Sequence, residues 1–400
     1  MQKQQIREPE RTTEIKEKCD VAIVGGGIAG CAAALSAARA GADVLLSEQQ
    51  FVLGGLATTG LIAIYLPLCD GYGHQVSYGI AEELLLLSTS CDLNHFDRAT
   101  WEEQMKANST EPLPRYRCRF NPSLFSLLLE QKLKSEHIRI LYGVQICDCI
   151  VNDNRITHLL AEGRNGRFAI KTNSVVDCSG DAAVCRASGE NTTVNNKKND
   201  VAGWYYSVEN GKLTLHPVGV AEDLENDSYW VTNTEKRFTG TEYNNISDFT
   251  IASHELILDS FLSNYPQTES HQLATIPGIP QFRMTRRLVG KTELSAIDRK
   301  QYCDSIGLIG NWRKRGPIYE IPLSAMKGNT AKNLIAAGRC ISSKAAMWDL
   351  TRVIPACAVT GEAAGIAAAL SDNFDNISEE LIQEKLRERG IPVHINELSL

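Results

Sequence analysis

The stretch Asp20-Val-Ala-Ile-Val-Gly25-Gly-Gly27-Ile-Ala-Gly30 decides the fold. The apolar run at 20–24 ends in three glycines, and the Ala-rich segment 28–40 that follows is helix-compatible. Gly41 supplies a helix stop, and a second apolar run at 43–47 leads into Glu48. Strand, glycine loop, helix, strand and acid therefore sit in register over about 30 residues, the context in which a G-x-G-x-x-G spacing marks a dinucleotide site rather than a tight turn. Gly25 permits the turn out of the strand, Gly27 lets the backbone approach a pyrophosphate, and Gly30 lets the helix pack against the strand. The first helical turn, Ile28 and Ala29 onward, offers N–H groups and the positive end of the helix dipole to the phosphates. Glu48, followed by Gln49, stands where an acid binds a ribose hydroxyl.

Working outward, Asn121-Pro122 predicts a helix to about residue 135, with Asn as cap and Pro in the first turn. Residues 138–141 read as a strand. Residues 146–150, 156–162 and 167–172 alternate like antiparallel strands separated by the turns Asn152-Asp-Asn154 and Gly163-Arg-Asn-Gly166. A further apolar strand, 174–178, ends in Ser179-Gly180-Asp181, and another, 334–337, ends in Gly338-Arg339. Three strand ends on one parallel sheet edge would build a long cleft. A helix predicted from about Pro355 to Leu370 begins just after Val353, and its N-terminus could stabilise negative charge on a reduced flavin ring. The residues alone favour FAD but leave NAD open.

Four hundred residues exceed one compact core, which predicts two domains or one domain with a large insertion. Hydrophobic content of 43% and charged content of 22% are those of an ordinary globular enzyme. A net charge of -7 without a long basic run argues against nucleic acid as partner. Residues 1–18 are polar and read as a solvated arm without a secretory apolar core, so the expected location is cytoplasmic. No window of about 18 apolar residues is present, so no membrane association is expected. The twelve cysteines are scattered, with one Cys-x-Cys at Cys147 and Cys149. They are read as reduced core residues, with no iron-sulfur or other metal site.

The chain resembles the FAD-dependent oxidoreductase family of the glutathione-reductase and fumarate-reductase flavoprotein superfamily. Four segments carry the resemblance: Val24-Gly-Gly-Gly-Ile-Ala-Gly30, Leu53-Gly-Gly-Leu-Ala-Thr-Thr-Gly60, Val176-Asp-Cys-Ser-Gly-Asp181, and Asn333-Leu-Ile-Ala-Ala-Gly-Arg-Cys-Ile-Ser342 continuing through Thr351-Arg-Val-Ile-Pro355. The resemblance implies that Gly54, Gly55, Ala57 and Thr58 line the flavin ring and that Val144 contacts the adenine side. It implies that Ser179, Gly180 and Asp181 close over the ribityl-phosphate region. Gly338, Arg339, Arg352, Val353 and Ala356 would hold the ribityl chain and pyrimidine edge. The implied fold is α/β: a Rossmann-like FAD-binding domain (19–60, 115–200 and 331–372) whose parallel sheet carries an antiparallel meander. A mixed α+β substrate or cap domain (61–114 and 201–330) and terminal segments (1–18 and 373–400) complete the expected organisation. Residues 190–330 are rich in Asn, Thr, Ser, Tyr and Trp, as in Trp204-Tyr-Tyr206 and Tyr229-Trp230.

A flavin carries hydride itself, so the protein must supply anion holders and a proton donor. Arg283 and Arg286, in Phe282-Arg-Met-Thr-Arg-Arg-Leu-Val-Gly290, match the family's R-x-x-R-x-x-x-G segment and could clamp a substrate carboxylate. Two arginines at this spacing are equally readable as a surface face. His74, in a glycine-rich loop, is a candidate acid or base, against the plain reading of an exposed histidine. Tyr319 and Cys340 are weaker candidates. The expected activity is hydride transfer between flavin and a small polar, carboxylated metabolite, with an electron donor or acceptor of unknown kind. A flavin-binding electron-transfer or assembly subunit and an NAD-dependent dehydrogenase stay open as alternatives, as does a homo-oligomer.

Overall fold

The computed structural model describes residues 5–93, 99, 111–113, 115, 117–219, 236–264, 268–298 and 300–398. Strand β1 (Ile15–Val24), helix α1 (Ile28–Arg39) and strand β2 (Val44–Glu48) form the β-α-β unit, with β1 and β2 parallel from Val21 opposite Val44 to Val24 opposite Ser47. The polar arm is shorter than the sequence suggests. Ile15 already pairs with Ala169, because a neighbouring strand is long enough to give the polar residues 15–18 backbone partners. α1 ends in a Schellman motif: Gly41, at φ 92°, donates to the Ala38 carbonyl and Ala42 donates to that of Ala37.

Strands β3 (Ile64–Tyr65) and β4 (Cys118–Arg119) form a small antiparallel pair, with helix α2 (Ile80–Thr89) between them in the chain. Helix α3 (Pro122–Ser135) begins as its sequence predicts, the Asn121 side-chain oxygen accepting from the N–H groups of Ser123 and Leu124 at 3.1 Å each. Strand β5 (Arg139–Tyr142) pairs in parallel with β2. Strands β6 (Gln145–Asn152), β7 (Arg155–Gly163) and β8 (Gly166–Asp177) form the antiparallel meander.

Helix α4 (Ala183–Ala187) and strand β9 (Thr192–Val194) lead into the middle of the chain. There β10 (Tyr205–Glu209), β11 (Lys212–His216), helix α5 (Tyr243–Asn264) and β12 (His271–Thr275) follow, the strands forming an antiparallel sheet in the order β11-β10-β12. Ile257 and Phe261 of α5 bury Tyr205 of that sheet. β13 (Arg286–Leu288) pairs with β9, and β14 (Ser305–Gly310) pairs with β15 (Ile318–Pro322). Tyr229 and Trp230 lie outside the described residues. The short strand β16 (Leu334–Ala336), helix α6 (Ala345–Thr351), helix α7 (Ile354–Leu370) and helix α8 (Glu379–Arg387) complete the chain. No helix among the described residues is long and apolar enough to cross a membrane.

The main sheet runs β5-β2-β1-β8-β7-β6, with β16 also paired to β8. The two strands expected at 167–172 and 174–178 are one. The first half of β8 pairs antiparallel with β7, and its last residues, 175–177, pair in parallel with β16 on the same side. Asn173, which reads as a break, lies at this fork. The Asn333 side chain fills it, donating to the carbonyls of Asn173 and Ile156 at 2.7 and 2.8 Å and accepting from Ile156 N–H at 2.8 Å. A side-chain amide thus replaces the ladder bonds where two strands diverge.

Helix α7 packs on α1 through small residues. A Cβ built at Gly361 would lie 2.3 Å from the Ala29 carbonyl oxygen, and one at Gly365 would lie 2.1 Å from that of Ala33. Ser36 ties the helices by donating to the Glu362 carbonyl at 2.8 Å. Gly361→Ala is therefore expected to push the helices apart and lower stability by about 2–3 kcal/mol, read as a drop in the chemical unfolding midpoint of the apoprotein. An unchanged midpoint would mean that the two helices are less closely packed than described.

Candidate active site

β1, β2, β8 and β16 are parallel, so their carboxyl ends open on one edge of the sheet. A cleft of about 420 Å³ runs along this edge. At its centre, Gly25 (φ 99°) turns the chain out of β1 and donates to the Ser47 carbonyl at 2.8 Å. Gly27 is the N-cap of α1 and no side chain caps the helix. A Cβ at Gly27 would meet nothing within 4 Å, so the open side of the loop faces the cleft that Gly27, Ile28 and Ala29 line. Gly30 lies behind this wall, against Gly25.

Glu48 and Gln49 line one end with Val144, whose N–H donates to the Glu48 carbonyl at 3.1 Å. The Glu48 carboxylate accepts from the N–H groups of Gly26 and Gln50, both at 2.7 Å. Burial raises its pKa, while those hydrogen bonds hold it down in part. On the other side, Gly54 donates to the Gly26 carbonyl at 2.8 Å, which sets Gly54, Gly55 and Ala57 on the cleft wall. Thr58 turns inward, its hydroxyl donating to the Leu53 carbonyl, and so shapes the loop from behind.

The Ser179–Asp181 turn lines the far part of the cleft. It is built on Asp177, a fully buried residue to which the sequence assigned no role. Its carboxylate accepts from the Ser179 N–H and hydroxyl at 3.1 and 2.6 Å and from the Cys185 N–H at 2.9 Å. Asp181 has a raised pKa, through burial first and then the charge of Asp177, against the pull of Arg339 and Arg286. Arg339 lines the wall and donates to the carbonyls of Phe282 and Arg283 at 2.6 and 3.3 Å. Arg352 and Ile354 line it at the start of α7, a second helix whose N-terminus no side chain caps. Gly338 and Ala356 are buried behind this wall, and Val353 is the N-cap residue.

The middle of the chain closes the opposite side with Gly240, Ile246, Ile279, Pro280, Phe282 and Thr285. No periodicity or motif marks these residues as a group. Gln281 joins the two sides: its amide donates to the Gly60 carbonyl at 2.7 Å and its oxygen accepts from Trp204 N–H at 3.1 Å.

The proposed pair Arg283 and Arg286 points to two different places. Arg283 does not itself line the cleft, although Phe282 before it does; it is buried, lies over the Trp204 ring at 5.3 Å and donates to the Gln281 carbonyl at 3.2 Å. Its Nη2 is buried and has no hydrogen-bond partner among the described residues. Burial first, and then the charges of Arg352 and Arg339, press its pKa well below the usual arginine value. Arg286 instead reaches toward the Asp181 carbonyl at 3.5 Å. His74 does not line this cleft and sits with Nδ1 2.8 Å from Asp70. Tyr319 is a core residue whose hydroxyl donates to the Ala296 carbonyl at 3.3 Å. Cys340 is buried, its sulfur accepting from the Gly180 and Ala182 N–H groups at 3.2 and 3.3 Å, and burial pushes its thiol well above the usual range. All twelve cysteines carry free thiols.

Asp349 anchors the arginines from behind, pairing with Arg313 at 2.6 Å and with Arg352. Burial alone would raise its pKa, but the charges and hydrogen bonds of Arg352 and Arg313 outweigh it and the pKa is lowered. A depressed carboxylate stabilises the fold above its unfolded pKa of about 4, and that contribution is lost as pH falls through the lower folded value. Wild-type stability is therefore expected to decline more steeply below about pH 4 than that of Asp349→Asn, as followed by thermal unfolding across pH. Parallel declines would remove Asp349 as a source of acid sensitivity.

These features suit a dinucleotide with a long second half: two uncapped helix N-termini, an open glycine loop and a buried acid share one cleft. The sequence matches the model of the family described as FAD dependent oxidoreductase over residues 20–205 and 203–389.

The chain belongs to the FAD-dependent oxidoreductase family.

Its cofactor is FAD, which decides the choice between FAD and NAD. Thioredoxin reductase of Ureaplasma parvum serovar 3 is 34% identical over 91 residues, a match spanning 23% of this chain and 29% of that protein. Two solved structures share the fold. A geranylgeranyl bacteriochlorophyll reductase-like protein from Thermoplasma acidophilum superposes with a TM-score of 0.51 at 14% identity, covering 94% of this chain and 84% of that one. p-Nitrophenol 4-monooxygenase from Pseudomonas putida superposes with a TM-score of 0.50 at 13% identity, covering 92% and 83%.

Proposed function

We propose that this flavoprotein transfers a hydride between FAD and a small polar metabolite that carries a carboxylate, in the cytoplasm. The observation that carries the reading is Arg283, a buried cation whose Nη2 has no partner among the described residues. An ionised group in such a place is costly unless a counterion completes it, and a carboxylate is an anion that a guanidinium can hold through two parallel hydrogen bonds. Arg286, turned toward Asp181, is assigned instead to supporting the 179–181 turn. Free thiols throughout support a reducing compartment.

In this reading Glu48 accepts from the ribose hydroxyls, and the N–H groups at the start of α1 hold the pyrophosphate. Gly54, Gly55 and Ala57 leave room for the flavin ring. Arg339, Arg352 and the start of α7 hold its polar edge. Bound FAD supplies the two-electron chemistry. The protein's part is to orient the substrate on Arg283 and to exclude water with Ile246, Ile279, Pro280 and Phe282, the apolar side of the cleft. The segments 61–114 and 201–330 then act as a cap on a FAD-binding domain made of 19–60, 115–200 and 331–372.

The test is anaerobic. Photoreduced holoprotein and oxidised holoprotein are each mixed with a panel of hydroxy, keto and unsaturated carboxylic acids while the flavin spectrum is followed. At least one acid is expected to reoxidise or bleach the flavin without a mediator. If none does, and only a protein or a nicotinamide nucleotide exchanges electrons, the chain is an electron-transfer subunit and the proposal falls.

A further inference from the structure

A cluster of cations lies outside the cleft, beyond Arg352, where the segments 70–74, 113–117 and 311–316 meet. Leu113 N–H donates to the Gly71 carbonyl at 2.8 Å, and Gly316 N–H donates to that of Asp70 at 2.9 Å. Arg115 holds the third segment by donating to the carbonyls of Asn311, Lys314 and Arg313 at 2.7, 3.2 and 3.4 Å. Gly71 leaves room for two arginine stems: a Cβ built on it would lie 2.8 Å from Arg315 Cγ and 3.1 Å from Arg115 Cδ. Burial first lowers the Arg115 pKa, and the charges of Arg315 and Arg117 add to it. Arg117, Lys314 and Arg315 are exposed, and Tyr72 and Trp312 are half-buried. Two carboxylates that border this face are already engaged. Asp70 lies 2.8 Å from His74 Nδ1 and accepts from the N–H groups of Tyr72 and His74, while Asp349 holds Arg313 and Arg352. Arg117 and Arg315 have no ion pair among the described residues. Trp312 joins this face to the cleft. Arg313 Cζ lies 4.1 Å and Arg352 Cζ 5.9 Å from the centre of its ring, and Arg352 lines the cleft.

Arginine, tyrosine and tryptophan together make the composition of a protein-binding surface. The cations here are spread rather than convergent. Arg115 spends its donors on main-chain oxygens, and Arg117, Lys314 and Arg315 stand in solvent. Such an array suits carboxylates distributed over a partner's surface better than one small anion. The whole chain carries a net charge of -7, so an acidic protein is repelled by most of its surface and steered to a face of the opposite sign. We propose that the face formed by Arg115, Arg117, Lys314 and Arg315 around Tyr72 and Trp312 is the docking site of an acidic one-electron carrier protein that exchanges electrons with FAD. The exchange balances as FAD, one proton and two reduced carriers giving FADH⁻ and two oxidised carriers, and it runs in reverse when the carrier is the acceptor. The proposal rests on the reading above that places the polar edge of the flavin at Arg352, and it does not depend on which substrate occupies the cleft.

The experiment uses full-length holoprotein and a plant-type iron-sulfur ferredoxin as the acidic one-electron probe. Calorimetry measures binding of oxidised ferredoxin, and stopped-flow spectroscopy follows flavin reduction by reduced ferredoxin without oxygen. Both affinity and rate are expected to fall by about tenfold or more between about 20 mM and about 0.5 M salt, as surface charges become screened. The double variant Arg117→Gln/Arg315→Gln is expected to lose about tenfold in both at low salt and to match the wild type at high salt. Arg117→Lys/Arg315→Lys, which keeps the charges, should retain most of both. Reduction by the small methyl viologen radical cation should be the same in all three proteins. Ferredoxin binding and rate that ignore salt and the glutamine variants overturn the proposal. So does a glutamine variant that is equally slow with methyl viologen, because the change then lies at the flavin and not at a docking face. Inorganic phosphate that blocks ferredoxin at constant ionic strength would assign the face to a small anion instead, and binding of the protein to phosphatidylserine vesicles but not to ferredoxin would assign it to a membrane surface. Each of these failures leaves the carboxylate reading standing, since electron exchange with the acid panel decides that separately.

Discussion

Gly30→Ala is expected to cost the protein its fold around the cleft, whereas Gly27→Ala is expected to cost it only its cofactor. A Cβ at Gly30 would stand 1.8 Å from the Gly25 carbonyl oxygen and 3.4 Å from Cys178. Neither neighbour can yield, because Gly25 is bonded to Ser47 and Cys178 N–H donates to Val24. The strand, the loop and α1 must separate, at about 3 kcal/mol or more. Gly27 lies three residues away in the same motif, yet its Cβ would meet nothing within 4 Å and its φ of -69° suits any residue. The apoprotein should lose at most about 1 kcal/mol from a poorer N-cap. The added methyl group occupies the side on which the pyrophosphate approaches, so FAD affinity should fall at least about tenfold, a loss of about 1.4 kcal/mol. Apoprotein unfolding and FAD titration by fluorescence separate the two. Equal losses of stability in both variants would mean that Gly27 is structural and that the open side of the loop is not the cofactor's side.

Arg283→Met is expected to change the protein in the opposite direction. A side chain of similar length and no charge removes the burden of a desolvated cation beside Arg339 and Arg352. Apoprotein stability should rise by about 1–4 kcal/mol, seen as a higher denaturant midpoint with an unchanged slope. The same variant should lose recognition of the carboxylate, so stability and function move apart as they do where a site is strained for its task. The apoprotein is the form to measure, since bound FAD adds its own stabilisation. A destabilised Arg283→Met would show that the stacking on Trp204 at 5.3 Å outweighs the buried charge.

Several parts of the molecule were legible in the chain because short-range stereochemistry decides them. Asn121-Pro122 starts a helix wherever it occurs before a helix-forming run, since both residues act on N–H groups within three positions. Gly41 ends α1 for an equally local reason. The break expected at Asn173 was the opposite case. A polar residue between two apolar runs reads as a turn, but the chain continues because β1 pairs with it on one side and Asn333, 160 residues away, satisfies its carbonyl on the other. The residues 15–18 read as solvated for the same reason: their partners lie beyond residue 168.

The glycine loop 25–30 with Glu48 determined by itself that this chain holds a dinucleotide on the edge of a parallel sheet, because turn, dipole and ribose contact are all encoded within one β-α-β unit. Only the tertiary structure decided what surrounds that dinucleotide. It separated Arg283 from Arg286, buried the first with its Nη2 lacking a hydrogen-bond partner among the described residues, and closed the cleft with Gly240, Ile246, Ile279, Pro280, Phe282 and Thr285. Burial and charge balance belong to groups brought together from distant segments, and no spacing along the chain records them.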